Sequence, residues 1–350
     1  MTRPLSIAVV VTSNARRGAE VFGSQLAAGL AERGWRTSFH ALWSAPQGAA
    51  TVDALPLAGR AARLSPRLVM DLARAVRGHD VVLANGGATL RYAVMASGVP
   101  GAPKLVYGSI GEPAYWIRGP LHGRLLRIQL RRCAAVFAVS RATRHQLVDL
   151  VGVPAQKVSV ASTGVSDHWI GVETDPGGQP FRAVWIGSLS AEKNPALAIE
   201  AFAEAGVGEM RVVGDGPLRS ELEAKAPESV NFVGSVSDVT PHLRWARCLI
   251  SSSDTEGLPG VVLEALGSGL PVIATDVGGV GDLVSDATGV LVPKRQVEPM
   301  ARAIRELAGH PDWRRERGRA GRGLVQDEYL LDHSFDRYDA LLRSVIGRST

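Results

Sequence analysis

The chain has 350 residues, of which 45% are hydrophobic and 21% charged, and this composition is typical of a globular protein with more than one hydrophobic core. The formal net charge of +5 admits an anionic partner, but arginines on solvated helix faces explain it equally well. Cys133 and Cys248 are too few and too far apart for a disulfide framework or a cysteine-rich metal site.

Hydrophobic runs in the sequence are short. None approaches the roughly 20 apolar residues that a transmembrane helix needs. The run 7–11 is followed by no small-residue cleavage pattern, so it predicts a buried strand rather than a signal peptide. We therefore expect a cytoplasmic protein, with peripheral contact at the inner membrane face as an alternative.

The first half of the chain alternates strand and helix patterns. Strand 7–11, helix 21–33 and strand 37–42 form a βαβ unit, which is typical of a parallel sheet. Because the carboxyl ends of parallel strands meet at one edge, the loops after them should converge on one ligand site. The candidate ligand contacts on these loops are Gly18, Asn85, Gly86, Ser109 and Glu112. A plain helix-entry turn explains Gly18 as well as ligand contact does.

A basic helix is predicted over residues 121–132. It carries Arg124, Arg127, Arg131 and Arg132. A basic amphipathic helix can bind an anionic membrane surface. The segment contains no aromatic residue for insertion into lipid, so a solvated helix face is favoured and membrane contact is kept as the alternative.

Two strand-end loops in the second half point to phosphate chemistry. The strand 181–186 leads into Gly187-Ser188-Leu189-Ser190-Ala191-Glu192-Lys193, where Lys193 is placed to meet a phosphate as a point charge. The strand 210–213 ends in Gly214-Asp215-Gly216-Pro217. That loop lacks the third glycine of a dinucleotide fingerprint, so a dinucleotide oxidoreductase is disfavoured.

Residues 254–264, Asp-Thr-Glu-Gly-Leu-Pro-Gly-Val-Val-Leu-Glu, predict a loop followed by a helix. Glu256 lies before the first helical turn, and Glu264 lies about two turns along. A helix N-terminus offers unpaired N–H groups and a partial positive charge, which suit a phosphate or a sugar oxygen. The sequence therefore predicts two carboxylates that bracket an anion-binding position.

The C-terminal region is predicted to be helical. Helix 313–329 carries Arg314, Arg315, Arg317, Arg319 and Arg322, which we interpret as a solvated face. No aromatic interleaving or nucleic-acid module accompanies them, so no nucleic-acid partner is expected. The last helix, 334–346, has an apolar stripe and should pack on a core.

The order of these motifs resembles the retaining glycosyltransferases of family 4, which have the two-domain GT-B fold. The resemblance spans nearly the whole chain and rests on residues 187–193, 213–217, 230–234, 256–264 and 289–293. It implies an α/β fold with two Rossmann-like doubly wound domains facing a central cleft. The implied division is an N-terminal acceptor-binding domain at 1–172, a linker at 173–180, a C-terminal nucleotide-sugar-binding domain at 181–325, and a C-terminal helix at 326–350 that packs back toward the first domain.

The resemblance also implies a reaction. A hexose or amino-sugar would pass from a nucleotide diphosphate sugar to a hydroxyl of a small metabolite, glycan or lipid, with no metal and no cofactor. Lys193 and Glu256 would be the catalytic residues: Lys193 would bind the diphosphate and Glu256 the sugar hydroxyls, while Glu264 would hold the ribose. The implied donor-binding set is Ser188, Lys193, Gly214, Phe232, Val233, Glu256, Gly257, Leu258, Pro259, Gly260 and Glu264. The acceptor-side set is Gly18, Asn85, Ser109 and Glu112.

The chain departs from the family pattern at two positions near the reacting groups. Ser188 stands where an arginine is common, and Ile110 stands where a histidine of the first domain is common. A catalytically silent GT-B protein that binds a nucleotide sugar or stabilises a partner enzyme is therefore an alternative. A nucleotide-sugar epimerase, which would form product without an acceptor, is another.

Overall fold

The computed structural model describes residues 3–47, 49–59 and 65–347. It divides into two compact units: unit 1 comprises Met1–Thr163 with Asp332–Thr350, and unit 2 comprises Gly164–Leu331. Within the described residues, no helix combines the length and the apolar character that crossing a lipid bilayer requires.

Unit 1 is built on a parallel sheet. Its strands are β1 (Ser6–Ser13), β2 (Arg36–Trp43), β3 (Leu55–Ala58), β4 (Val81–Asn85), β5 (Lys104–Ser109), β6 (Ala135–Ala138) and β7 (Val158–Val160). Their order in the sheet is β3-β2-β1-β4-β5-β6-β7, and every pairing is parallel. The central strands consist of continuous apolar runs because helices cover both faces of the sheet.

The helices of unit 1 follow the strands as βα units. They are α1 (Gly18–Glu32), α2 (Pro66–Val76), α3 (Gly87–Ala96), α4 (Pro113–Trp116), α5 (Pro120–Arg131) and α6 (Arg141–His145), which continues into a π-helical turn at Gln146–Leu150. The C-terminal helix (Leu331–Gly347) also belongs to unit 1, where Tyr338 packs between Phe22 and Phe137. The predicted apolar stripe of the last helix is confirmed.

The sequence prediction differs from the structure around β3. The Ala, Pro and Gly content of residues 45–65 predicts a loop, yet Leu55–Ala58 pairs with β2 as an edge strand. The strand has only four residues, Leu-Pro-Leu-Ala, and its proline is typical of a loop or an edge strand, so the short apolar run does not stand out from its surroundings. Residue 48 and residues 60–64 of that predicted loop lie outside the described residues.

Unit 2 repeats the same architecture. Its strands are β8 (Arg182–Ile186), β9 (Glu209–Val213), β10 (Val230–Gly234), β11 (Cys248–Ser251), β12 (Val272–Thr275) and β13 (Gly289–Val292). Its helices are α7 (Pro195–Ala205), α8 (Arg219–Lys225), α9 (Thr240–Trp245), α10 (Gly260–Gly267), α11 (Val297–Gly309) and α12 (Pro311–Glu328). The parallel sheet has the order β10-β9-β8-β11-β12-β13.

Residues 173–180, predicted as an interdomain linker, are bonded to unit 2. Thr174 donates a hydrogen bond to the Ser268 carbonyl at 2.8 Å, and Arg314 donates to the carbonyls of Pro176 and Gly178. The chain passes between the units at 163/164 and 331/332 instead. Backbone carbonyls, which composition does not reveal, hold this Pro- and Gly-rich segment in place.

The arginines of α12 do not all lie on a solvated face. Arg314 has no exposed surface and donates to backbone carbonyls of four residues, Pro176, Gly178, Leu307 and Ala308. Arg322 donates to the carbonyls of Val172, Gly267 and Ser268. The prediction that they lie on a solvated helix face is wrong for these two residues. Backbone carbonyl oxygens can satisfy the hydrogen-bond donors of a guanidinium in place of water.

Candidate functional site

The strand order of unit 2 locates its ligand site. The order reverses between β8 and β11, and in open α/β sheets ligands bind outside the carboxyl ends of the strands at such a reversal. The loops that follow these two strands are residues 187–194 and 252–259. They contain Lys193 and Glu256, the two residues that the sequence predicts to be catalytic.

Close backbone packing fixes the loop after β8. Gly214, at the end of β9, has a φ of +132°, and a Cβ there would lie 1.8 Å from the Gly187 carbonyl oxygen. Only glycine fits this position. Further along, Asn194 adopts φ 45° and its side chain accepts a hydrogen bond from the Leu197 N–H, so it caps α7 directly after Lys193.

Lys193 and Glu256 form an ion pair. The Lys193 Nζ lies 2.6 Å from Oε1 of Glu256, and the Ser253 hydroxyl donates to the same oxygen at 2.6 Å. The Glu256 side chain is only 10% exposed, whereas that of Lys193 is 31% exposed. A polyanion can therefore reach the ammonium group, and it would compete with Glu256 for it.

A second set of contacts ties the two loops together. The Ser252 hydroxyl donates to the Asn194 carbonyl at 2.7 Å, and the Asp254 N–H donates to the Glu192 carbonyl at 2.8 Å. Arg295 donates two hydrogen bonds to one carboxylate oxygen of Asp254, at 3.0 and 2.7 Å.

These supporting roles were not predicted from the sequence. Their signal is weak: two serines and an aspartate after β11, and an arginine after β13. Arg295 also has a φ of 60°, a backbone conformation that is rare for a residue other than glycine.

The N-terminus of α10 is open. The helix begins at Gly260 after Pro259, which makes no side-chain cap, and among the described residues no side chain accepts a hydrogen bond from the N–H groups of Gly260 and Val261. Gly260 is exposed, and a Cβ built on it would meet no atom within 4 Å. Unpaired N–H groups and the helix dipole make this position favourable for an anion.

Glu264 lies one turn after Gly260 on α10. The prediction that it lies about two turns along the helix is wrong, because the helix begins only after Pro259. Burial raises the pKa of its carboxyl group to about 7. No hydrogen-bond donor or cation pairs with this carboxyl group in the part of the chain that the structure describes. Glu256 and Glu264 therefore differ sharply: one is held by a lysine and a serine, and the other has no protein partner.

The remaining donor-side residues lie at the same edge of the sheet. Phe232 and Val233 are half-buried at the end of β10, Ser188 is exposed in the loop after β8, and Leu258 packs partly against the core of unit 2. Gly257 and Pro259 are buried in the loop that leads to α10. The predicted donor-binding set thus lies on the strand ends and strand-end loops of one sheet and on α10.

The predicted acceptor-side residues do not converge to the same extent. A cavity of about 650 Å³ in unit 1 is lined by Thr12, Gly86, Ser109 and Ile110 among others. It includes Ser109, but none of Gly18, Asn85 and Glu112 is among its lining residues.

The structure places those three residues outside the cavity lining. Gly18 is the exposed first residue of α1. Asn85 is buried and donates to the Ala19 carbonyl at 3.3 Å, which steadies the entry to α1. Glu112 accepts from the Gln146 amide at 3.1 Å. The side chains of Asn85 and Glu112 thus bond within unit 1 itself.

The matches to known protein families agree with the division into two sheets. Residues 16–169 match the family described as Glycosyltransferase Family 4, and residues 180–310 match Glycosyl transferases group 1. The chain belongs to these glycosyltransferase families. The predicted family is confirmed, and the two matches fall in units 1 and 2 respectively, apart from residues 164–169.

One related protein is an alpha-D-kanosaminyltransferase of Streptomyces kanamyceticus. It is 25% identical over 241 residues, which cover 63% of this chain and 62% of that protein. Another is a 2-deoxystreptamine glucosyltransferase of the same organism, 29% identical with 66% of each chain covered. The chain thus spans just under two thirds of the length of these curated relatives.

Solved structures show the fold. The sucrose-phosphate synthase of Thermosynechococcus elongatus matches with a TM-score of 0.84 at 19% identity, and 99% of this chain and 100% of that chain are covered. The predicted fold class, α/β with two Rossmann-like domains of the GT-B type, is confirmed.

The pKa of Glu264 gives a prediction about stability. Between about pH 4.5 and about pH 7 the unfolded state has released the Glu264 proton while the folded state keeps it, so the free energy of unfolding should fall by up to about 1.4 kcal/mol per pH unit. Glu264→Gln cannot ionise and should lack this term. Urea unfolding of both proteins at about pH 5, 6, 7 and 8 measures it. If the difference in unfolding free energy between the wild type and Glu264→Gln does not change with pH, burial does not raise the pKa of Glu264.

Proposed function

We propose that the chain is a retaining glycosyltransferase that moves a hexose or amino-sugar from a nucleotide diphosphate sugar to a hydroxyl acceptor. The observation that carries the proposal is the Lys193–Glu256 ion pair, which lies on the loops of the strand-order reversal, with Glu256 four residues before the open N-terminus of α10. The arrangement offers a cation, free N–H groups and a carboxylate together. A sugar diphosphate has the complementary groups: phosphate oxygens and hydroxyls.

In this proposal the donor binds to unit 2. Lys193 and the first N–H groups of α10 meet the diphosphate, and the partnerless carboxyl group of Glu264 accepts from the ribose hydroxyls. Phe232 and Val233 lie beside the base. The fold likeness to Anabaena Alr3699/HepE in complex with UDP-glucose supports a nucleotide sugar as donor; that structure has a TM-score of 0.82 at 18% identity and covers 97% of this chain and 100% of its own.

Donor binding rearranges the ion pair. The diphosphate takes Lys193 from Glu256, and the carboxylate of Glu256 is then free to accept hydrogen bonds from the sugar hydroxyls. In the transfer step the bond between the anomeric carbon and the diphosphate oxygen breaks, and the acceptor oxygen bonds to the same face of that carbon. The acceptor proton passes to the departing phosphate oxygen.

Lys193 and the amides of α10 carry the charge that develops on the leaving diphosphate, and we propose that no metal is needed. A single contact of this kind is worth about 3 kcal/mol. Because Ser188 replaces an arginine that is common in the family, fewer cations share the charge of the leaving diphosphate with Lys193. Removing Lys193 should therefore cause a large loss of activity. The acceptor hydroxyl is proposed to bind to unit 1, where Ser109 lines the cavity.

The first test concerns donor binding. A thermal-shift panel of UDP, GDP, ADP and their sugars identifies the nucleotide, since a ligand at about 100 times its Kd adds roughly 2.7 kcal/mol of stability. Lys193→Ala should then raise the Kd by about 10- to 100-fold, because it removes a charge-assisted contact. Lys225→Ala is the control, since Lys225 is an exposed lysine that pairs with Glu221 on α8. Equal affinities for the wild type and Lys193→Ala would refute the site.

The same donor also separates the enzyme from its alternatives. The proposed function gives transfer to an acceptor extract with retained anomeric configuration, read by NMR of the product. Binding without transfer for any donor would instead indicate the silent protein suggested by Ser188 and Ile110. Product without an acceptor would indicate the epimerase.

Gly260 gives a second test of ligand position. A methyl group at this residue meets no protein atom within 4 Å, so Gly260→Ala should leave the free energy of unfolding unchanged or raise it slightly. It should nevertheless weaken nucleotide binding about tenfold or more, because the methyl group occupies the space in front of the helix N-terminus. Gly309→Ala, at the end of α11 and equally unobstructed, is the matched control. Unchanged affinity in Gly260→Ala would place the phosphates elsewhere.

A further inference from the structure

Exposed hydrophobic side chains are concentrated around α4 and α5. Within the described residues ten large hydrophobic side chains are exposed, and six of them fall between residues 115 and 150. These six are Tyr115, Trp116, Leu121, Leu125, Ile128 and Leu150. We define the α4–α5 surface as residues 113–132, which contain five of the six. Clustering of this kind marks a surface that binds something.

The helix α5 is apolar on the side that faces away from unit 1. Leu130 is fully buried in the core of the unit, as expected for one face of an amphipathic helix. Leu121, Leu125 and Ile128 are spaced i, i+4 and i+7, so they share another face, and they are 79%, 51% and 58% exposed. A solvated helix face does not need this stripe.

The charge around the stripe has a single sign. From Pro113 to Val148 the sequence contains no aspartate or glutamate and seven arginines, at positions 118, 124, 127, 131, 132, 141 and 144. Four of them, Arg118, Arg124, Arg131 and Arg132, are exposed and pair with no acidic side chain of the described chain. Arg127 is used internally, since it donates to the Val151 carbonyl.

Aromatic side chains complete the surface. Tyr115 and Trp116 lie on α4, four residues before α5 begins, with their rings edge to face at 5.1 Å. They are 43% and 51% exposed. Such rings, with an apolar body and a polar tip, favour the boundary between lipid and water. The sequence prediction for residues 121–132 missed them because they lie just outside that range.

We propose that the α4–α5 surface docks on an anionic lipid bilayer. An apolar stripe of leucine and isoleucine inserts into the acyl boundary, and the flanking arginines bind lipid phosphates. A nucleic acid would match the arginines but not the stripe. Trp116 and Leu125 also line the cavity that contains Ser109, so docking brings that cavity beside the lipid.

Vesicle sedimentation tests the proposal with no need for a sugar donor, so its outcome is separate from that of the proposed function. The full chain is mixed with vesicles of phosphatidylcholine alone, or of phosphatidylcholine with phosphatidylglycerol, at low and at high salt. We expect sedimentation with the anionic vesicles, weakened by salt, and little with the neutral ones. Absence of binding to anionic vesicles at low salt, or equal binding to both kinds, would overturn the proposal.

Two double variants separate this surface from a general effect. Leu121→Glu with Ile128→Glu should weaken vesicle binding about tenfold or more. Leu55→Glu with Met70→Glu is the control, because it changes two exposed apolar residues of unit 1 elsewhere and adds the same charge. Circular dichroism and thermal unfolding confirm that both variants fold. An equal loss of vesicle binding in both variants would refute membrane docking. So would a wild-type protein that binds no vesicles but forms a dimer, if the Leu121→Glu, Ile128→Glu variant is a monomer and the control variant remains a dimer.

Discussion

The ion pair between Lys193 and Glu256 is the interaction on which the site depends. Its two members lie 63 residues apart in sequence and meet because β8 and β11 are neighbours in the sheet. A partly buried ion pair seldom stabilises a fold more than apolar packing would, since desolvation offsets the attraction between the charges. The pair is better understood as a pre-formed binding site, in which each charge can bind a group of the ligand.

The rest of unit 2 holds that pair in position. Gly214 lets the loops after β8 and β9 pack backbone against backbone, and Ser252 and Asp254 bind the loop after β8 from the other side. Arg295 then anchors Asp254. Most of these contacts involve residues that are not proposed to bind the ligand. Lys193 and Glu256 are therefore oriented by neighbours that need not touch the substrate. That arrangement is what precise charge stabilisation requires.

Much of the fold could be predicted because buried parallel strands have a clear sequence signal. The apolar runs predicted the central strands, and the polar and turn-forming residues that open the segment 254–264 correctly indicated a loop before α10. Contacts between side chains and the backbone could not be predicted: Arg314 looks like any surface arginine, and only the structure shows the carbonyls that surround it. The outward stripe of α5 was likewise hidden, because an apolar residue at helical spacing is usually assigned to the core.

The most direct measurement is a crystal structure of the chain with the nucleotide sugar that binds most tightly. If the ion pair is a pre-formed binding site, the Lys193 Nζ will lie about 2.8 Å from a phosphate oxygen, and the phosphates will face the first turn of α10. Glu256 will have moved to the sugar hydroxyls. A bound nucleotide that leaves Lys193 on Glu256, or that occupies the cavity of unit 1, would contradict the proposed function of this pair.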